Sequence, residues 1–316
     1  MTLGRLHNPS YAPHGVDTYD FSHFHSTRGI HRQSDYKCYV ISAMCGQAGK
    51  MRRFQIMQAR ALGASLADTR FTAIHASPLK RAYSTAQGVH DAQPEPKPPL
   101  TTSLLLREQH WGVAEGHSWV MVQEPGLSLE EHLARGLYPV LHERSQKFPE
   151  GESLDDLALR AEQAINEIVM PYIWQAARDG KKGIHIALVS HGLCISELVP
   201  ALLKKDSSGQ RIGRDYRGLL NTAWTRVVLD VKGSKEGEPL EFSDSDPPPL
   251  EVGVVAFNSS EHLEKVKRQH GGIGSAAYDP KQQDIRAFFG GRKIDAGQVE
   301  GRSESNAEDE ANVQIN

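Results

Sequence analysis

No stretch of this 316-residue sequence approaches the roughly 18 consecutive apolar residues that a membrane-spanning helix needs, so no helical membrane anchor is expected. The opening MTLGRLHNPS also lacks the apolar core of a secretory leader. Cysteine is sparse. Cys38, Cys45 and Cys194 are an odd number in a long chain, which argues against a disulfide framework and favours a reducing interior, cytoplasmic or nuclear, over secretion. An excess of one charge is missing too: 36 basic against 39 acidic residues leave a formal net charge of -3, with no global pull toward nucleic acid or an anionic membrane surface. What remains is the composition of a globular protein, whose 39% hydrophobic content suffices for a sizeable core in one main α/β domain.

Order along the chain begins after Met51. Residues 54–66 (FQIMQARALGASL) carry apolar side chains at helical spacing, and 71–77 (FTAIHAS) form a short β-rich run after a Thr-Arg break. SPLKRAYSTAQGVHDAQ follows with Pro78 near a helix start and small residues that suit close packing. LTTSLLLREQHWG is a further apolar run ending in charge, while 128–143 and 153–177 read as helices, the second with Ser153 as N-cap. KKGIHIALVSHG, TAWTRVVLDV and LEVGVVAFN read as strands. Strands alternating with helices predict an open, largely parallel sheet covered on both faces. From residue 259 onward the text is polar and poor in large apolar groups, so 1–258 is read as the domain and 259–316 as a mostly disordered tail.

In parallel α/β sheets ligands sit beyond the carboxyl ends of strands, where helix N-termini present free N–H groups. Three motifs fall there. His191 and Gly192 end the strand of VSHG, with Ser190 able to hydrogen-bond a loop or an anion. Arg81 lies in the first helical turn of SPLKRA, where a guanidinium can grip phosphate bidentately. Glu108 follows the run Leu104-Leu105-Leu106 before a glycine-bearing turn, a setting suited to a general acid.

Together SPLKRAYSTAQ, LREQHWGVAEGHSW, FPEGESLDDLALR, ALVSHG and NTAWTRV resemble, in order, the histidine phosphatase superfamily in its phosphoglycerate mutase-like branch, and HLEKVKRQHGGIG resembles fungal members. The resemblance implies a three-layer α/β/α sandwich with a mostly parallel central sheet and no metal or other cofactor. It assigns the phosphoryl clamp to Arg81 and His191, the proton donor to Glu108, and pocket lining to Asn221 in the NTAW turn. The substrate it implies is a small phosphorylated molecule or a phosphoprotein, hydrolysed through a phosphohistidine. No glycolytic-mutase subsite is evident, so phosphatase is preferred to mutase.

The family's Arg-His-Gly, whose histidine attacks phosphorus, occurs nowhere in the chain. Pro13-His14-Gly15 keeps the His-Gly but has prolines in its approach, which suit a central strand badly. YVISAMCGQAG is the better strand, but places Met44 and Cys45 where the family has arginine and histidine. The nucleophile role is assigned to His14, and Cys45 is read as a buried apolar cysteine. The stretch 8–53 is atypical, text of the kind that a retained intron or frame error produces. With this motif degenerate, the competing expectation is a pseudophosphatase that binds phosphate and is recruited through its tail.

The tail holds KQQDIRAFFGGRK. Gln282, Ile285, Phe288 and Phe289 fit the pattern by which peptides bind the DNA sliding clamp, a single helical turn presenting three apolar prongs beside a glutamine. The alternative is a short helix docking back on the domain. Neither direct nucleic-acid binding nor membrane binding is expected.

Overall fold

The computed structural model describes residues 36–44, 53–120, 123–209, 215–264 and 266. His14, Cys45 and the clamp-type motif at 282–289 lie outside them. A six-stranded sheet forms the centre, with β1 at Tyr36–Ser42, β2 at Ala73–Ala76, β3 at Leu100–Thr102, β6 at Ile184–Ser190, β7 at Trp224–Val231 and β8 at Leu250–Ser259, in the order β3-β2-β6-β1-β7-β8. The first four neighbours run parallel, while β7 is antiparallel to both β1 and β8. A two-stranded parallel pair, β4 (Trp119–Val120) and β5 (Tyr138–Pro139), stands apart.

The position of β1 narrows the atypical stretch. It pairs with β6 over its whole length, Tyr36 opposite Ile184 through Ser42 opposite Ser190. Its side chains alternate between two cores: Tyr36, Cys38 and Val40 join one, and Tyr39 and Ile41 join the other. Val40, Ile41 and Met44 are at most 1% exposed. Each such side chain contributes roughly 1.5–3 kcal/mol when buried. Residues 36–44 therefore behave as a native core strand, and they are the strand that leads to Met44-Cys45.

Helices cover both faces, giving the three layers. On one face lie α1 (Arg53–Ser65) and α2 (Lys80–Asp91), which contribute Leu62, Ala82, Ala86 and Val89 to the core. On the other lie α4 (Leu154–Ala164), α5 (Met170–Arg178) and α6 (Gly192–Leu203), contributing Leu157, Ile173, Ile195 and Leu198. The α1–α2 contact is a backbone approach: a Cβ on Gly63 would lie 2.1 Å from the Gly88 carbonyl oxygen. Small residues in α2 thus serve the neighbouring helix as well as the sheet.

Two expectations need correction. The helix read over 128–143 is only α3 (Leu129–Ala134): Ser128 and Glu131 form a capping box, but the chain turns at Gly136, where φ is +70°, and enters β5. The helix read over 153–177 starts as expected on the Ser153 cap but is interrupted by a π-helical segment, Ile165–Val169. Pro171 has no N–H for the carbonyl four residues back, and the widened turn precedes it. The described chain also continues past residue 259 into a 3₁₀ turn at Glu261–Leu263, where His262 Nε2 lies 3.0 Å from Thr222 Oγ1. Among the described residues no helix is long and apolar enough to cross a membrane.

Candidate active site

The parallel strands β2 and β6 deliver two of the motifs to one edge. Beyond β2, Ser77 N–H still donates to Val189 at 2.9 Å, and its Oγ accepts from Leu79 N–H at 3.3 Å as the chain turns into α2. Arg81 is the second residue of that helix. Beyond β6, His191 caps α6 in extended conformation and is 3% exposed.

Arg81 Nε–H donates to His191 Nδ1 at 3.0 Å, and His191 Nε2 lies 2.8 Å from Ser77 Oγ. The first bond fixes the tautomer. With Nδ1 as acceptor, the neutral imidazole carries its proton on Nε2 and donates to Ser77. Burial, reinforced by the charges of Arg81, Arg160 and Arg107, pushes His191 down to about 3. The edge is therefore electropositive without being protonated at the histidine.

Glu108 arrives from the loop after β3. The 3₁₀ turn Leu104–Leu106 is capped by Ser103, and Leu106 O accepts from Ser190 Oγ at 2.8 Å. Ser190 is thus a tie to the loop. The Glu108 carboxylate reaches the N-terminus of α6: Oε1 accepts from Cys194 N–H at 3.0 Å and from Gln109 N–H at 3.2 Å, whereas Oε2 has only a 3.4 Å contact with Leu193 N–H. Oε2 is the less committed oxygen. A Cβ on Gly192 would meet nothing within 4 Å, so no neighbouring protein atom demands glycine there.

Asn221, half-buried, sits in the turn before β7 at the same edge, where Ser42 N–H donates to Ala223 at 2.8 Å. The next residue, Thr222, is fully buried at φ +57°. For a β-branched residue this is a strained conformation. The His262 contact and a 2.9 Å bond from Leu220 N–H to Asn258 Oδ1 hold the turn in place.

Four residues that the motifs did not single out belong to the site. Ser77 orients His191. Arg160 on α4 donates to the carbonyls of Leu105 (2.8 Å), Arg107 (2.9 Å) and Glu108 (3.2 Å), and pairs with Glu152 at 2.7 and 2.8 Å. Glu152 in turn accepts from His110 N–H at 3.0 Å. Burial works to raise the Glu152 carboxyl, but the Arg160 and His110 bonds outweigh it and hold it below the usual range. Arg107 lies between, with its Nε buried and without a hydrogen-bond partner among the described residues. Glu152 and Arg160 were visible in FPEGESLDDLALR as a motif, and Arg107 in LREQ, but spacing alone gave them no partner.

Burial keeps both described thiols in the protonated form. Burial pushes Cys38 up to about 12 and Cys194 up to about 11, and both are free. Beyond β1, Ala43 N–H donates to Ser190 O at 2.7 Å and Met44 N–H lies 3.4 Å from Thr85 Oγ1, one turn beyond Arg81. Met44 is thus a buried methionine at the end of β1, on the same edge as Arg81 and His191.

A mostly parallel sheet between helix layers, with an arginine and a histidine joined at the strand ends, defines an α/β protein with an anion-seeking edge. The chain belongs to the histidine phosphatase superfamily (branch 1), which its residues 55–235 match. It is 26% identical over 230 residues to the fructose-2,6-bisphosphatase TIGAR B of Danio rerio, covering 66% of this chain and 84% of that protein. It is 24% identical over 258 residues to a probable phosphatase of Schizosaccharomyces pombe, covering 82% and 77%. Solved structures of similar fold include a mycobacterial glucosyl-3-phosphoglycerate phosphatase (22% identity, TM-score 0.47, covering 71% of this chain and 99% of that one). A phosphoglycerate mutase from Bacillus anthracis is also similar (21% identity, TM-score 0.47, covering 75% and 99%).

Proposed function

We propose that the chain is a phosphomonoester phosphatase whose edge pocket holds the phosphoryl group between Arg81 and His191. The observation that carries this reading is the 3.0 Å bond from Arg81 Nε to His191 Nδ1, which leaves both terminal amino groups of the guanidinium outside that bond. These groups, and the His191 Nε2–H once it turns from Ser77 to a phosphoryl oxygen, stabilise the negative charge that spreads over the phosphoryl oxygens during transfer. In the first step an imidazole, assigned to His14, attacks phosphorus as the bond to the leaving oxygen breaks, and Glu108 delivers a proton to that oxygen. In the second, water attacks the phosphohistidine, Glu108 takes the water's proton, and inorganic phosphate leaves.

One observation favours a second reading, a pseudophosphatase that binds phosphate without turnover: the sequence after β1 reads Ala43-Met44-Cys45-Gly46, where the resemblance would call for Arg-His-Gly. Steady-state hydrolysis of an aryl and an alkyl phosphate by the full chain separates the two. The phosphatase reading predicts turnover of both, reduced by about two orders of magnitude or more in His191→Ala. In Glu108→Gln the alkyl ester, with its poorer leaving group, loses more than the aryl ester. Equal turnover by the parent and His191→Ala contradicts the site. Absence of turnover with retained phosphate binding supports the pseudophosphatase. A role for Gln282, Ile285, Phe288 and Phe289 in docking on a DNA sliding clamp is a separate proposal that rests on their sequence pattern alone.

A further inference from the structure

The arginines near the pocket divide by their partners. Arg160 is neutralised by Glu152 at 2.7 Å, and Arg144 by Glu197 and Asp155 at 3.0 Å each. Among the described residues no carboxylate lies within ion-pair distance of Arg81 or Arg107. Arg81 at least donates to His191, whereas the Arg107 Nε is sealed from solvent with no acceptor among the described residues. A buried guanidinium nitrogen in that condition costs stability unless an acceptor reaches it.

The backbone of Arg107 is held from both sides. Its N–H donates to Leu104 O at 3.1 Å, and its carbonyl accepts from Arg160 at 2.9 Å. Its neighbours on either side already serve the edge: Leu106 O takes the Ser190 hydroxyl, and the Glu108 carboxylate takes the N-terminal N–H groups of α6. The charge of Arg107 also reaches His191, where it helps to disfavour the imidazolium. Met44, at the end of β1 where the resemblance would call for an arginine, brings no charge.

We propose that Arg107 is a further phosphate-binding residue of this pocket, supplying the second guanidinium that the Met44 position lacks. Two uncompensated positive charges, Arg81 and Arg107, then match a phosphomonoester dianion, the substrate class the pocket takes. The inference rests on the phosphate-pocket reading but not on turnover, so it holds equally for an enzyme and for a phosphate-binding pseudoenzyme.

The test is calorimetric titration of the full chain with inorganic phosphate, comparing the parent with Arg107→Gln, Arg107→Lys and Arg81→Gln, each checked for folding by its thermal midpoint without phosphate. Loss of one charge-assisted hydrogen-bonding group predicts affinity weakened by about tenfold or more in Arg107→Gln and by less in Arg107→Lys, which keeps the charge without the fork. Arg107→Gln binding phosphate within about twofold of the parent, while Arg81→Gln loses it, overturns the role of Arg107 and leaves the pocket intact. Should Arg107→Gln fail to fold, unchanged affinity in Arg107→Lys overturns it instead. A parent chain that does not bind phosphate overturns the pocket and the inference together.

Discussion

His191 is held in its neutral form by its surroundings. As the partner of Arg81 it must stay neutral, and burial with three nearby guanidinium groups keeps it so, down to about 3 against an ordinary 6.5. Burial, with help from Lys37 and Arg226, likewise pushes His185 down to about 4. In the unfolded chain both take up protons near 6.5, so the unfolded state binds more protons as the pH falls below that value. The stability present above 6.5 is therefore progressively lost between 6.5 and the folded values. Urea unfolding between neutral pH and about pH 5, a range above most carboxylate titration, is expected to show falling stability, with a shallower slope in His185→Gln and His191→Gln. The same slope in both variants would contradict this electrostatic picture of the edge. Of the residues that build the site, Arg81, Glu108 and His191 were legible because each stands in a motif at a strand end. Ser77, Arg107, Arg160 and Glu152 were not, because their roles come from contacts across 8 to 114 positions of sequence, which no local pattern encodes. The structure brings Arg81 and His191 into direct contact and sets Glu108 on the helix that His191 caps. Asn221 shares that edge, while His14 lies outside the described residues.

At the scale of elements, α2 is the lever of the pocket, since it carries Arg81 and is seated against α1 through glycine backbone. Gly63→Ala would drive a methyl into the Gly88 carbonyl, 2.1 Å from the ideal Cβ position. The expected outcome is a loss of about 1–3 kcal/mol in unfolding free energy, together with weaker phosphate binding as the α2 N-terminus shifts. A variant as stable as the parent would mean that the two helices separate freely and that Arg81 is not held by this contact. Most element types were readable from apolar periodicity: β2, α1, α2, β6, β7 and β8 fall where that pattern put them, whereas β1 (Tyr36–Ser42) lies before Met51 in the atypical stretch and only overlaps the strand text YVISAMCGQAG. The failures have local causes. Gly136 ends a helix that periodicity alone would have extended, and Pro171 converts one long helix into two with a π turn between. In the segment after β8, the polar run SSEHL is held by His262 on Thr222 and by packing against α1, which leave no apolar periodicity in the sequence.

At the scale of the whole molecule, the sheet places β6 beside β1 and β2 beside β6, so that the two gripping residues and the end of β1 converge on one edge. That convergence follows from strand order, which no single motif specifies, and it brings VSHG and SPLKRA into contact across a separation of 110 positions. It also brings the end of β1, Ala43 and Met44, beside Ser190 and one turn from Arg81. The most direct measurement is a crystal structure of the full chain grown with vanadate, an oxyanion of the geometry that phosphoryl transfer passes through. The predicted result is vanadate held by the guanidinium of Arg81 and the imidazole of His191, with Glu108 on its leaving-group side. Vanadate bound elsewhere, with Arg81 and His191 engaged only with each other, would contradict the pocket.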